Sequence, residues 1–96
     1  MDSFHADKAF FSCKGLDTKK GITDGNEMFS QVKRSMMETS AESILVVDSS
    51  KFDKIAFSKW CNVKDMNMVI TDKEPDPEWL TYFEQNGIQC IYPAGT

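Results

Sequence analysis

The chain has 96 residues, 41% of them hydrophobic and 27% charged, which bounds it to one ordinary globular domain with a small core. A formal net charge of -4 with no basic cluster, helix-turn-helix or zinc-finger pattern argues against direct nucleic-acid binding by these residues. The cysteines Cys13, Cys61 and Cys90 are odd in number and lie far apart without a CxxC pair. They point away from a disulfide framework or a zinc site and suit a reducing cytoplasm; neither a signal peptide nor a transmembrane run is present.

Met1 to Asp7 read as a lead-in without structure of its own, and the single histidine, His5, receives no role there. Lys8 to Cys13 reads as a strand, ended by Lys14-Gly15. A core strand this early, with no sheet before it, is expected of a piece of a longer protein. Lys14 to Thr23 reads as a loop punctuated by Gly15 and Gly21. A helix follows, with Asp24 as N-cap and Glu27 completing a capping box of the D-x-x-E type. Met28, Val32 and Met36, with Phe29 beside them, form one apolar helical face expected in the core, with Lys33 and Arg34 on the other side. The helix should fade near Ser40-Ala41.

Ser43 to Phe52, SILVVDSSKF, is the stretch around which the chain is organised. Ile44 to Val47 run without polar interruption, as in a strand buried on both faces of a parallel sheet. Phe57, Trp60 and Val63 anchor the next segment, which reads as a turn and a short edge strand near Ala56 to Cys61. Met66 to Thr71 is a further strand. Asp76 is a natural N-cap with Pro77 at the first helical position; Leu80 and Phe83 face inward, Trp79 partly so, and Asn86-Gly87 stops the helix. Ile88 to Tyr92 is the last strand. Strands alternating with helices imply an α/β fold with a parallel sheet.

If the strands are parallel, their carboxyl ends share one edge, where ligands bind in open α/β sheets. That edge would carry Lys14-Gly15, Asp48-Ser49-Ser50-Lys51 and Thr71-Asp72, with the amino end of the first helix facing it and offering free N–H groups to an anion. Lys14 and Lys51 would supply positive charge, while Asp48 and Asp72 would accept hydrogen bonds from hydroxyls. The set suits a phosphorylated polyol or sugar. Blander readings stand beside it. Asp48 can simply cap its own turn, Thr71-Asp72 can be only a strand exit, and the glycines can be only turn residues, since their spacing matches no phosphate-loop fingerprint. The cysteines read as small buried hydrophobes. No Ser/His/Asp or Cys/His catalytic set can be assembled.

In this order, Gly21 to Asp24 (GITD), Val32 to Met36 (VKRSM), Asp48 to Phe52 (DSSKF) and Ile70 to Asp72 (ITD) resemble the C-terminal sensor domain of DeoR-type bacterial transcriptional repressors, over Ala6 to Pro93. The resemblance implies a Rossmann-like, three-layer fold with a mainly parallel sheet, shared with ribose-5-phosphate isomerase and glucosamine-6-phosphate deaminase. It also implies a pocket for a phosphorylated sugar or related metabolite. Lys14, Gly15, Asp17, Gly21, Thr23, Asp48, Ser50, Lys51, Thr71 and Asp72 match the positions that would line or support that pocket. The resemblance implies no cofactor, no metal and no membrane partner, and contact with operator DNA only through an N-terminal domain not represented here. The first half of the sensor domain, with its Gly-rich phosphate loop, is likewise not represented, and an exposed edge strand invites homo-oligomerisation. The rival reading from another class is a sugar-phosphate isomerase or deaminase on the same fold. It needs a tuned acid and base, for which Asp17 or Asp48 is the only proposal. A third is an oligomerisation module with a vestigial pocket.

Overall fold

A computed structural model describes residues 6–93. His5 and most of the expected lead-in therefore lie outside the described residues, while Ala6 and Asp7 already belong to the first strand. Strand β1 (Ala6–Phe11), β4 (Ser40–Val46), β6 (Met68–Ile70) and β7 (Gln89–Ile91) form a four-stranded sheet in the order β1-β4-β6-β7, and each neighbouring pair is parallel. The chain is thus mixed α/β, and the parallel sheet expected from the alternating pattern is present.

The segment read as a loop is instead a hairpin. Strands β2 (Gly15–Asp17) and β3 (Gly21–Asp24) pair antiparallel, and β5 (Ser58–Cys61) joins β3 to give a second, three-stranded sheet. The turn forms because Asp17 accepts the backbone N–H groups of Lys19 and Lys20, and Gly21 takes a positive φ of 86° that a Cβ would disfavour. Strand β5 lies at the edge of this sheet, as its sequence suggested.

Helix α1 (Glu27–Glu38) corrects two expectations. Its cap is Asn26, whose side chain accepts from Phe29 N–H at 2.8 Å; Asp24 is the last residue of β3 and is buried. Its apolar stripe does not enter the core. Met28 is 71% exposed, and Phe29, Val32 and Met36 are also exposed. The inward face is mainly polar instead, with Met37 its apolar contact to the core. Ser30 donates to the Ser58 carbonyl, Lys33 to Asp24 and Ser12, and Arg34 to the carbonyls of Lys59 and Trp60.

Helix α2 (Pro77–Gln85) follows its sequence signals. Asp76 is the N-cap and Pro77 opens the helix; Gly87 has φ 69°, and Ile88 N–H closes back on the Phe83 carbonyl at 2.9 Å. Trp79 is the buried anchor and Leu80 only half-buried, the reverse of the expected weighting. Trp79 packs edge-on against Phe52 and donates its indole N–H to Asp53 at 3.1 Å. Phe57, read as an anchor, is exposed, while Trp60 and Val63 are buried.

Register explains where the core lies. Ala9 and Phe11 of β1, Leu45 of β4, Val69 of β6 and Cys90 of β7 share one face of the parallel sheet. On that face they meet Leu16 and Ile22 of the hairpin, Trp60 of β5, and Trp79 and Phe83 of α2. The opposite face carries Phe10, Ile44, Val46, Met68, Ile70 and Ile91. Phe10, Val46 and Ile91 are exposed, so β4 is not buried on both faces as its apolar run suggested. Removing a large core side chain leaves a cavity, so Trp79→Ala should cost about 3–5 kcal/mol in a urea titration, whereas Phe57→Ala should stay within about 0.5 kcal/mol. Equal losses would mean that the core is wrongly placed.

Candidate functional site

Because β1, β4 and β6 run parallel, their exits lie on one edge of the sheet. There Ser12, Cys13 and Lys14 after β1, Val47, Asp48 and Lys51 after β4, and Asp24 at the end of β3 line a cleft of about 290 Å³, at the small end of the range for ligand sites. A second hollow of about 340 Å³, formed by Val46, Val47, Asp48, Ile70, Thr71 and Asp72, adjoins it through the shared β4 exit. A larger hollow of about 520 Å³ runs along α2 beside Thr18, but it is lined mainly by neutral side chains, with Glu78 its only charged residue. The sheet-edge cleft is the better candidate because ammonium and carboxylate groups converge on it.

The cleft is built by local chemistry. Asp48 caps the short turn Ser49–Lys51. Its carboxylate accepts from Ser50 N–H at 2.9 Å and from the Ser50 hydroxyl, and its other oxygen meets Lys51 Nζ at 3.2 Å. The Ser50 hydroxyl, then Lys51, hold the Asp48 carboxyl below its usual range. Asp72 accepts the Ser49 N–H at 2.7 Å, which ties the β6 exit to this turn. Lys14 is exposed at the rim and makes no side-chain hydrogen bond among the described residues.

Behind these groups lies a pair the sequence reading missed. Lys33 reaches from α1 to Asp24 Oδ2 at 2.7 Å and to the Ser12 carbonyl at 2.7 Å, and its ammonium lies 5.6 Å from the centre of the Trp60 ring. The Asp24 side chain is 5% exposed. Reading Asp24 as a helix cap hid it, and β3 (Gly21–Asp24), buried at all four positions, offered no alternation to reveal it. Ser12 and Cys13 were missed as well. Burial first, then the nearby Asp24 charge, pushes the Cys13 thiol up to about 12. Cys61, half-buried, is likewise pushed up to about 12, mainly by burial.

The structure therefore brings Lys14, Asp48 and Lys51 into the cleft, with Ser50 on Asp48 and with Thr71 and Asp72 in the adjoining hollow. Other sequence-chosen positions work one layer away. Gly15 packs under the Lys54 carbonyl, where a Cβ would collide. Thr23 is buried, donating to the Gly15 carbonyl at 3.2 Å and accepting from Ala56 N–H at 2.8 Å. Asp17 caps the hairpin turn, its carboxyl held low by the N–H groups of Lys20 and Lys19, and Gly21 turns the chain. The expected open helix end at Asp24 is absent from the cleft's lining: α1 starts three residues later, already capped by Asn26.

A family model described as the DeoR C-terminal sensor domain matches residues 1–73. Among curated proteins, the chain is 35% identical over 89 residues to an uncharacterized HTH-type transcriptional regulator of Bacillus subtilis, covering 93% of this chain and 34% of that protein. It is 31% identical to the L-fucose operon activator of Haemophilus influenzae (95% of this chain, 36% of that protein). It is 32% identical to the deoxyribose operon repressor of Escherichia coli (96% and 36%). The chain spans about a third of the length of these relatives.

Two outcomes follow from the cleft's wiring. Lys33→Met strands a buried carboxylate and should cost about 2–4 kcal/mol in chemical denaturation, and adding Asp24→Asn should restore most of that loss; an additive double variant would contradict the pairing. The folded Cys13 thiol titrates far above the ordinary value of about 8.5, so its burial stabilises fully below that pH and the contribution fades as pH rises towards 12. Thermal stability should therefore fall between about pH 9 and 12, less steeply in Cys13→Ala, and a slope unchanged in that variant would contradict it.

Proposed function

Since the chain belongs to the DeoR C-terminal sensor domain family, we propose that it is the effector-sensing part of a bacterial transcriptional repressor of carbohydrate metabolism, and that its effector is a phosphorylated sugar or related metabolite. The observation that carries this reading is the convergence of Lys14, Lys51, Asp48 and the Lys33-backed Asp24 on the carboxyl edge of the parallel sheet. Lys14 and Lys51 receive the phosphate. Asp48 holds Lys51 and, with Asp72, offers acceptors to sugar hydroxyls. Gly15, Asp17, Gly21 and Thr23 support the pocket by shaping the hairpin beside it. The architecture belongs with Rossmann-like, three-layer folds of the ribose-5-phosphate isomerase type. The effector biases the protein between arrangements that differ in operator affinity, with DNA held by other parts of such regulators and the protein acting as a homo-oligomer.

The enzyme reading is weaker on one specific ground. Asp17 and Asp48, the only carboxylates that were candidates for acid–base work, are both held below the ordinary range by hydrogen bonds. Both are ionised and weakly basic near neutral pH, unlike a tuned general base.

An amide NMR titration with a panel of sugar phosphates, and inorganic phosphate as control, tests the proposal. Saturable shifts at residues 12–14 and 48–51 are expected for one sugar phosphate. Lys51→Ala and Lys14→Ala should each weaken its binding about tenfold or more, as loss of a charge-assisted hydrogen bond does. Asp17→Ala should leave affinity within about twofold, because that carboxylate serves the hairpin turn. Turnover of the ligand would replace the sensor reading with the enzyme one.

A further inference from the structure

We infer that Asp24 selects the effector. Its free carboxylate oxygen accepts the hydroxyl at the end of the ligand away from the phosphate, and its charge turns away a second anionic group. The inference rests on the sugar-phosphate reading above and adds which sugar phosphates the cleft takes.

The wiring of Asp24 carries the assignment. Its side chain is only 5% exposed, yet it lines the cleft. Lys33 occupies Oδ2 at 2.7 Å, while Oδ1 takes no hydrogen bond among the described residues. Nor is Oδ1 sealed into the core. Among the described residues, the Trp60 indole N–H is the only buried side-chain polar group without a partner. Oδ1 therefore opens on the cleft.

Little else on the cleft floor competes for a hydroxyl. Cys13 and Val47 are buried there, and the Ser12 carbonyl is already taken by Lys33. Lys33 stands behind the carboxylate, outside the cleft lining, and acts as a positioning residue that turns Oδ1 towards the ligand. Asp48 discriminates less, because it is more than half exposed and bonded through both oxygens. A carboxylate paired with an ammonium accepts hydrogen bonds and donates none. In a desolvated site such a bond is strengthened, and so is repulsion of a like charge.

The two ends of the cleft are chemically different. Lys14 is exposed at the rim and the Lys51 side chain is 30% exposed, so a phosphate held there keeps part of its hydration. Asp24 lies at the buried end. In an aldose phosphorylated on its terminal carbon, the hydroxyl furthest from the phosphate is the anomeric one. It is also the most acidic hydroxyl of the sugar, and so the best donor to a carboxylate. The cleft therefore takes a terminal-carbon aldose monophosphate with a free anomeric hydroxyl. It refuses the bisphosphate, whose second phosphate would be driven against Asp24.

Dissociation constants from amide NMR titration of the chain test this with two ligand sets. One is ribose 5-phosphate, 1,4-anhydroribitol 5-phosphate and ribose 1,5-bisphosphate. The other is glucose 6-phosphate, 1,5-anhydroglucitol 6-phosphate and glucose 1,6-bisphosphate. In the wild type, one monophosphate should bind about tenfold or more tightly than both its anhydro analogue, which lacks the anomeric hydroxyl, and its bisphosphate. In Asp24→Asn both preferences should shrink by about fivefold or more. That variant leaves the Lys33 ammonium without its partner, so the double variant Lys33→Met/Asp24→Asn is measured beside it, with circular dichroism to show that each is folded. It should lose the same preferences. A merely loosened fold would weaken all three ligands of a set alike and leave the ratios as they were. Unchanged ratios in the folded variants would overturn the role of Asp24 and leave the sugar-phosphate reading standing. So would a wild type that binds the anhydro analogue or the bisphosphate as tightly as the monophosphate. Saturable binding of none of these ligands would overturn both.

Discussion

One ammonium group sets much of this structure. Lys33 projects from the inward side of α1 and divides its donors between the Asp24 carboxylate and the Ser12 carbonyl, beside Trp60. It joins the helix to the end of the hairpin and to the exit of β1. A carboxylate as buried as Asp24 requires such a partner, because an unpaired charge in that position costs several kcal/mol. Fixing Lys33 inward fixes the rotation of α1. Arg34, one position on, then reaches the β5 carbonyls, and Ser30, one turn back, meets Ser58. The apolar stripe is left to face outward. The mainly polar interior and apolar exterior of α1 accord with this pairing and with the bonds of Ser30 and Arg34 beside it.

This explains why the sequence misled at α1 while serving well elsewhere. Periodicity shows that Met28, Val32 and Met36 share a face; it does not say whether that face meets the core. The ordinary assumption that apolar means inward fails once a buried carboxylate competes for the same helix. The same carboxylate disguised itself, since Asp24 followed by Glu27 satisfies the pattern of a capping box. The cap is Asn26, and Glu27 instead accepts from the Ser58 hydroxyl at 2.6 Å. Helix α2 offered no such competitor, so Asp76-Pro77 and Asn86-Gly87 marked its ends correctly.

The strands were legible where hydrophobic runs were long and hidden where they were short. Ala9 to Phe11, Ile44 to Val47 and Met68 to Ile70 announce themselves. Gly15–Asp17 and Gly21–Asp24 are three and four residues long, and each begins with glycine, which strand propensities disfavour. They become strands because Leu16 and Ile22, fully buried, are drawn onto the sheet. The sheet-edge geometry was legible because it depends only on strand direction. Side-chain roles were not, since Gly15, Gly21 and Thr23 serve the hairpin through approaches to Lys54, Cys61 and Ala56 that no local pattern reveals.

Strand β4 connects these features most directly. Its side chains alternate, so Val46 faces the open side of the sheet while Val47 is buried with the core. Asp48 follows at once and caps the turn that presents Lys51 to the cleft. The residue that contributes to the uncovered apolar face is therefore the last of β4, and the residues that form the cleft follow it directly in the chain, where β4 leaves its pairing with β1 and β6. A ligand that repositions the Asp48–Lys51 turn acts two residues from the open face, through a strand with little freedom to absorb the change. The carboxyl edge and the open face are separate surfaces, but they are not mechanically independent.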